Sequence, residues 1–192
     1  MKGVNIFLAD GFEDVEALAT NDVLRRGGVD TTLVSLTDDP IVESSHGVWV
    51  TAEAFLPELD TDHAGTTAED VMIFPGGMPG SKNLAACTPL IDAMRAHYAA
   101  GGTVAAICAA PGLVLSQLGA EVLQGVKFTC FDGFQDLLTA RGAVYTPAPA
   151  VRDGRIVTGR SAGHAVAFGL EILRGLQGDA VADKVRHALY LD

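Results

Sequence analysis

The sequence predicts an α/β fold, a doubly wound and mostly parallel sheet with helices on both faces. Three observations predict it. Short apolar runs rich in β-branched residues alternate with longer segments of helical spacing. The runs close on turns rich in glycine, as at Asp10-Gly11 and Pro75-Gly76-Gly77. Strand and helix alternate in chain order, which demands parallel strands joined by right-handed crossovers.

Val4 to Ala9 reads as the first buried strand. Asp14 to Arg26 carries apolar residues at Val15, Leu18, Ala19, Val23 and Leu24, close to helical spacing, and Gly27-Gly28 stops that helix. Thr31 to Leu36 is a β-branched strand. Asp38-Asp39-Pro40 marks a turn. Ile41 to Glu43 and Val48 to Ala52 flank Ser44-Ser45-His46-Gly47 as a small hairpin. Val71 to Phe74 is the next strand. Pro89 to Ala100 is a helix whose first turn tolerates proline, and Gly101-Gly102 ends it. Thr103 to Ile107 is a strand running directly into Cys108, and Ala109 to Leu118 is the helix after it. Lys127 to Thr129 is a further short strand. Ala150 to Thr158 reads as a hairpin around Asp153-Gly154, a type I′ turn signal. His164 to Leu176 and Ala180 to Leu189 are terminal helices. No repeat or linker interrupts the pattern, so a single domain is expected over residues 1–192.

Composition narrows the function. At 48% hydrophobic and 19% charged residues the chain can bury a substantial core. Its net charge of −11 argues against binding nucleic acid or an anionic membrane, which needs clustered Lys and Arg; Arg25-Arg26 is only a pair, suited to a helix C-terminus. Val4 to Ala9 is too short for a secretory core, and no apolar stretch is long enough to span a bilayer. Three cysteines, Cys87, Cys108 and Cys130, are an odd number without metal-ligand spacing. That fits free thiols in a reducing cytoplasm, with no metal expected.

In open α/β sheets ligands bind beyond the carboxyl ends of the strands. Three such ends carry unusual residues: the turn from Asp10 to Glu16, the turn from Pro75 to Gly80, and the turn from Ile107 to Gly112. Cys108 lies at a strand-to-helix junction between small residues. A sharp turn exposes a sulfur there, and a following helix N-terminus favours thiolate over thiol. The residues alone leave the alternative of a buried, inert thiol. Gly76 and Gly77 can present N–H groups which, with that of Ala109, would hold an oxyanion; alternatively they are only a turn. Glu16 is either a solvated helical carboxylate or a buried acid that shuttles a proton beside the cysteine.

Gly11-Phe12-Glu13-Asp14-Val15-Glu16-Ala17, Phe74-Pro75-Gly76-Gly77, Ala105-Ala106-Ile107-Cys108-Ala109-Ala110-Pro111 and Thr158-Gly159-Arg160-Ser161-Ala162-Gly163, in this order and spacing, resemble the ThiJ/PfpI superfamily. Within it they resemble the branch of the Parkinson-disease-associated deglycase and its bacterial relatives, along essentially the whole chain. The resemblance implies a flavodoxin-like sandwich, a homodimer, Cys108 as nucleophile and Glu16 as its protonated partner. It implies an oxyanion pocket from the backbone at Gly77 and Ala109, and an arginine, Arg160, that ties the late loop near the site. Arg160 read alone is a surface ion pair.

Two departures matter. Ala109 stands where the protease-like branch places His after the nucleophile, which argues against a Cys-His hydrolase. Phe131 stands where members closest to the deglycase often carry His. His164 is the candidate substitute, with a helix-capping role as its alternative; His46 is weaker. Cys130 is either a resolving thiol or a packed one. The expectation is a cofactor-independent glyoxalase or deglycase acting on small 2-oxoaldehydes such as methylglyoxal. The rivals are a cysteine-based redox sensor, an amidotransferase-like hydrolase needing a late His beside Cys108, and a role in thiazole biosynthesis. No Walker-type loop or G-x-G-x-x-G opening supports the last of these.

Overall fold

Strand β1 (Val4–Leu8) is buried at every position, because both faces of the sheet it joins are covered. Its side chains alternate. Phe7 enters one core while Ile6 and Leu8 enter the other. The computed structural model describes residues 1–59 and 62–191. After β1 come helix α1 (Asp14–Arg26), strand β2 (Thr31–Ser35), the antiparallel hairpin β3 (Ile41–Glu43) and β4 (Trp49–Thr51), and a short edge strand β5 (Ala54–Phe55). Strand β6 (Val71–Phe74) follows, then α2 (Met78–Ala86), α3 (Thr88–Ala99) and β7 (Thr103–Ile107). The later elements are α4 (Ala110–Leu113), α5 (Ala120–Leu123), β8 (Lys127–Phe128), α6 (Asp136–Thr139), β9 (Val144–Tyr145), β10 (Ala150–Asp153), β11 (Ile156–Gly159), α7 (Ala165–Gln177) and α8 (Asp179–Ala188).

Seven strands form the central sheet in the order β10-β11-β7-β6-β1-β2-β5, all parallel except the β10–β11 pair. The chain runs outward from β1 to β2 and β5, then returns to β6 on the other side of β1. That reversal makes a topological switch point between β1 and β6, where open α/β sheets carry their crevice. Helices cover both faces. Leu84 of α2 and Leu90 and Met94 of α3 pack on the Phe7 side, where the Phe7 and Phe74 rings stack at 5.6 Å. Val23 and Leu24 of α1, Phe168 and Leu173 of α7 and Val185 of α8 pack on the opposite side. The doubly wound α/β prediction is met.

Several details differ from the sequence reading. The expected helix Ala109–Leu118 is only the four-residue α4 and a separate 3-10 turn, Leu115–Leu118. Pro111 and Gly112 sit in its single turn, and neither favours helix continuation. Helix α2 is additional; its Pro79 and Gly80 mask a helical pattern, although proline near a helix start is favourable. The β10–β11 turn is centred one residue late, on Gly154 and Arg155. Gly154 has φ 57 and Arg155 is not left-handed, so the turn is not type I′. β8 pairs with β9 in a small sheet of its own, and β5, α5, α6 and β9 were too short to read from periodicity. Among the described residues, no helix is long and apolar enough to cross a membrane.

Candidate active site

Three strand ends meet beside the switch point. Cys108 leaves β7 with φ 66, left-handed for a residue that has a Cβ. That conformation costs on the order of 1–2 kcal/mol. The surroundings hold it: Cys108 N–H donates to the Gly159 carbonyl at 3.0 Å, and the Cys108 carbonyl accepts from Phe131 N–H at 2.8 Å. The end of β11 and the loop bearing Phe131 therefore both hold the turn, and the thiol stays partly exposed.

Glu16 comes from the first turn of α1 but points inward, and is 1% exposed. Glu13 caps this helix, its Oε2 accepting from Glu16 N–H at 2.7 Å. Glu16 Oε2 accepts from Gly76 N–H at 2.7 Å, while Oε1 is buried without a hydrogen bond of ordinary geometry. Gly76 is the hinge of the arrangement. A Cβ there would lie 2.4 Å from Glu16 Oε2 and 2.6 Å from Cys108 Cβ. Glycine is thus needed so that carboxyl and cysteine can close on each other over the backbone. Gly76→Ala is expected to keep the fold and cut any Cys108-dependent turnover by about 10²-fold, since misplacement on the ångström scale costs that much. Thermal melting alongside steady-state rates would check it; unchanged rates would show that the close approach has no role.

The charges follow from the burial. Burial raises Glu16 to about 7, opposed by its hydrogen bonds to Cys108 and Gly76, with the Glu13 charge adding to the rise. Burial and the neighbouring Glu16 carboxylate push Cys108 up to about 12, while the N–H groups of Ala109 and Gly77 pull it down. This corrects the expectation of a turn that simply favours thiolate. A four-residue helix brings little dipole, and desolvation outweighs it. With Glu16 protonated, its charge no longer opposes the thiolate. The two groups are coupled and titrate as a pair.

A cavity of about 340 Å³ opens over the sulfur. Its lining includes Glu16, Gly77, Cys108 and Ala109 from the expected set, so the structure brings these four together. Gly77, with φ 85, and Ala109 turn their N–H groups toward the sulfur. Gly76 does not join them as an oxyanion donor, because its N–H is taken by Glu16.

The late-loop residue Arg160 stands outside this group of four. It does not line the cavity; its guanidinium pairs with Asp132 at 3.0 Å. It ties the late loop to the loop bearing Phe131, which lines the cavity and is 47% exposed. His164 does not line the cavity either, and its Nδ1 lies 2.9 Å from Ser161 Oγ. It supplies no triad of the amidotransferase kind beside Cys108. Cys130 is fully buried in the core on the Phe7 side, so it is the packed thiol rather than an accessible resolving one.

Sequence reasoning missed Met78, Phe134 and Ser161 as cavity residues, and Glu13 as both cap and wall. The spacing of Glu13 and Glu16 offered a signal for the last, since a capping side chain commonly reaches the third helical residue. His46 does not line the cavity; its Nδ1 lies 2.6 Å from Asp14 Oδ1 and 3.9 Å from Glu13 Oε1. The Asp14 hydrogen bond and charge raise the His46 pKa, and the same contact lowers that of Asp14.

The chain resembles known proteins in fold and sequence. The chain is 36% identical over 190 residues to DJ-1 homolog A of Arabidopsis thaliana, which covers 99% of this chain and 47% of that protein. It spans about half the length of the Arabidopsis relatives it matches. It is 29% identical over 166 residues to a glutathione-independent glyoxalase of Caenorhabditis elegans, covering 86% of this chain and 83% of that one. The structure of oxidized Toxoplasma gondii DJ-1 superposes with a TM-score of 0.86 at 30% identity, covering 99% of this chain and 98% of that one. The DJ-1/PfpI family model matches residues 2–175, and the chain belongs to the DJ-1/PfpI family.

Proposed function

We propose that this protein is a cofactor-independent enzyme that converts small 2-oxoaldehydes such as methylglyoxal to 2-hydroxyacids through Cys108, the chemistry of a glyoxalase or deglycase. The observation that carries the reading is the pairing of Cys108 with a buried carboxyl whose pKa is raised to about 7. An acid that titrates near neutrality both gives and takes protons efficiently there. The name of the Caenorhabditis elegans relative supports the substrate class.

The Cys108 thiolate attacks the aldehyde carbon, and the N–H groups of Gly77 and Ala109 hold the developing alkoxide. Neutral Glu16 gives that oxygen its proton. The resulting carboxylate removes the hydrogen from the former aldehyde carbon and returns it to the adjacent one, while the hydroxyl proton passes from the first oxygen to the second. The first carbon is thereby oxidised to a thioester and the second reduced to an alcohol. Water then splits the thioester, releasing the hydroxyacid and the thiol. Purified protein without glutathione should form lactate from methylglyoxal. Consumption of the aldehyde without lactate, or no consumption, would overturn the reading.

A second reading is favoured by one observation. The matched Toxoplasma protein is an oxidized form, and here a carboxyl able to donate a hydrogen bond lies beside a partly exposed sulfur. A redox sensor would gain two oxygens at Cys108 under mild peroxide, read by intact mass, without aldehyde turnover.

The working unit of this proposal is a homodimer in the cytoplasm. Ile41, Val48 and Trp49 are exposed on the β3–β4 hairpin, Trp49 at 72%. Val15 of α1 is exposed too, and the Phe12–Ser44 bridge and the His46–Asp14 contact tie hairpin to helix. Such an apolar patch marks an interaction surface. Trp49→Lys should weaken self-association by at least about tenfold, because buried aromatics dominate interfaces. Sedimentation across a dilution series would check this.

A further inference from the structure

The proposed reaction leaves an acyl group on Cys108, and water must be activated to remove it. Glu16 approaches the sulfur from one side only. Its Oε2 is held by Gly76 N–H, and it lies on the β6 and β1 side of Cys108. Strand order places the loop after β11 on the other side of β7 and so of Cys108. That loop contributes Ser161, Ala162 and Gly163 to the cavity wall. Ser161 carries the hydroxyl among them, and His164 Nδ1 lies 2.9 Å from its Oγ. The 3-10 turn Ala162–His164 fixes this distance, with His164 N–H donating to the Ser161 carbonyl at 2.7 Å. The imidazole is thus outside the cavity but one hydroxyl removed from it.

We infer that Ser161 and His164 form a proton relay that deacylates Cys108. The inference rests on Cys108 being the nucleophile of the proposed function. Water in the cavity gives a proton to Ser161 Oγ as Ser161 passes its own to His164 Nδ1, which acts as the acceptor. The oxygen of that water bonds to the acyl carbon. The tetrahedral intermediate expels the Cys108 thiolate, and the acid departs. The imidazolium proton returns through Ser161 to the thiolate, so acyl-enzyme and water become acid and thiol with no other reactant. Ser161 touches the reacting water and is a catalytic residue; His164 acts through it and is a positioning and proton-holding residue.

The probe is p-nitrophenyl acetate, which acylates a reactive cysteine without any aldehyde chemistry. Wild type should release a burst of about one p-nitrophenolate per active site, followed by slower steady turnover limited by deacylation. Ser161→Ala and His164→Ala should keep the burst, which also reports that the site is folded. Their steady rates should fall on the order of 10²-fold, with acetyl-Cys108 accumulating in intact-mass spectra. His164→Gln keeps a hydrogen bond to Ser161 but holds no proton, so it should be as slow as His164→Ala. Wild-type deacylation in Ser161→Ala or in His164→Gln would overturn the relay. A wild type without a burst would overturn both Cys108 as nucleophile and the relay. A wild type that shows the burst but forms no lactate from methylglyoxal would overturn the aldehyde reading alone.

Discussion

Cys108→Ala is expected to abolish aldehyde conversion, a fall of at least about 10⁴-fold in kcat, as when the nucleophile of a covalent mechanism is removed. The general acid and the oxyanion donors would remain, yet with no sulfur to bond the substrate carbon they have nothing to act on. Stability should change little, within about 1 kcal/mol. Alanine meets the same left-handed backbone restriction at φ 66, and the lost thiol is only partly buried. Parallel measurement of lactate formation and chemical denaturation separates the two effects. A Cys108→Ala protein retaining even a tenth of wild-type turnover would remove the cysteine from the mechanism.

Glu16→Gln should move activity and stability in opposite directions. The amide keeps an acceptor for Gly76 N–H but neither gives nor takes a proton at neutral pH, so turnover should fall on the order of 10²–10⁴-fold. The stability effect depends on pH. The folded protein binds the Glu16 proton more tightly than the unfolded chain, since burial raises the pKa from 4.5 to about 7. That preference is fully present below pH 4.5 and is lost as pH rises through 7, leaving a buried carboxylate that costs about 3 kcal/mol. The substituted amide carries no charge to desolvate. The variant should therefore gain about 3 kcal/mol relative to wild type between pH 4.5 and pH 8. Denaturation curves at those two pH values check the difference, in which the titration of all other groups cancels. Curves that stay parallel would place the Glu16 carboxyl in water rather than under the cysteine.

Both expectations start from residues that stand out in the chain, but to different degrees. Cys108 is half legible: a short apolar strand runs directly into it and small residues follow, yet an inert packed thiol reads the same until the other motifs join it. Strand ends are where such sheets keep their chemistry. Glu16 read alone is one acidic residue among several at a helix start, and only the company of the other motifs singles it out. Gly76 and Gly77 are adjacent and alike in sequence, yet one orients Glu16 and the other faces the sulfur. The rotation of a single peptide decides between these roles, and no side chain records it.

The order of apolar runs, helical spacings and glycine turns by itself determined the doubly wound sheet, the main helices and the place of Cys108, because periodicity and turn chemistry are local properties of the chain. Tertiary structure alone decided the charge state around that cysteine. Desolvation depends on everything packed nearby, so Glu16 is lifted to about 7 and Cys108 to about 12, against the local expectation of an activated thiolate. It likewise sent Arg160 to Asp132, Cys130 into the core and His164 to Ser161. Those outcomes depend on which loops the strand order makes neighbours, a long-range property that no short stretch of sequence carries.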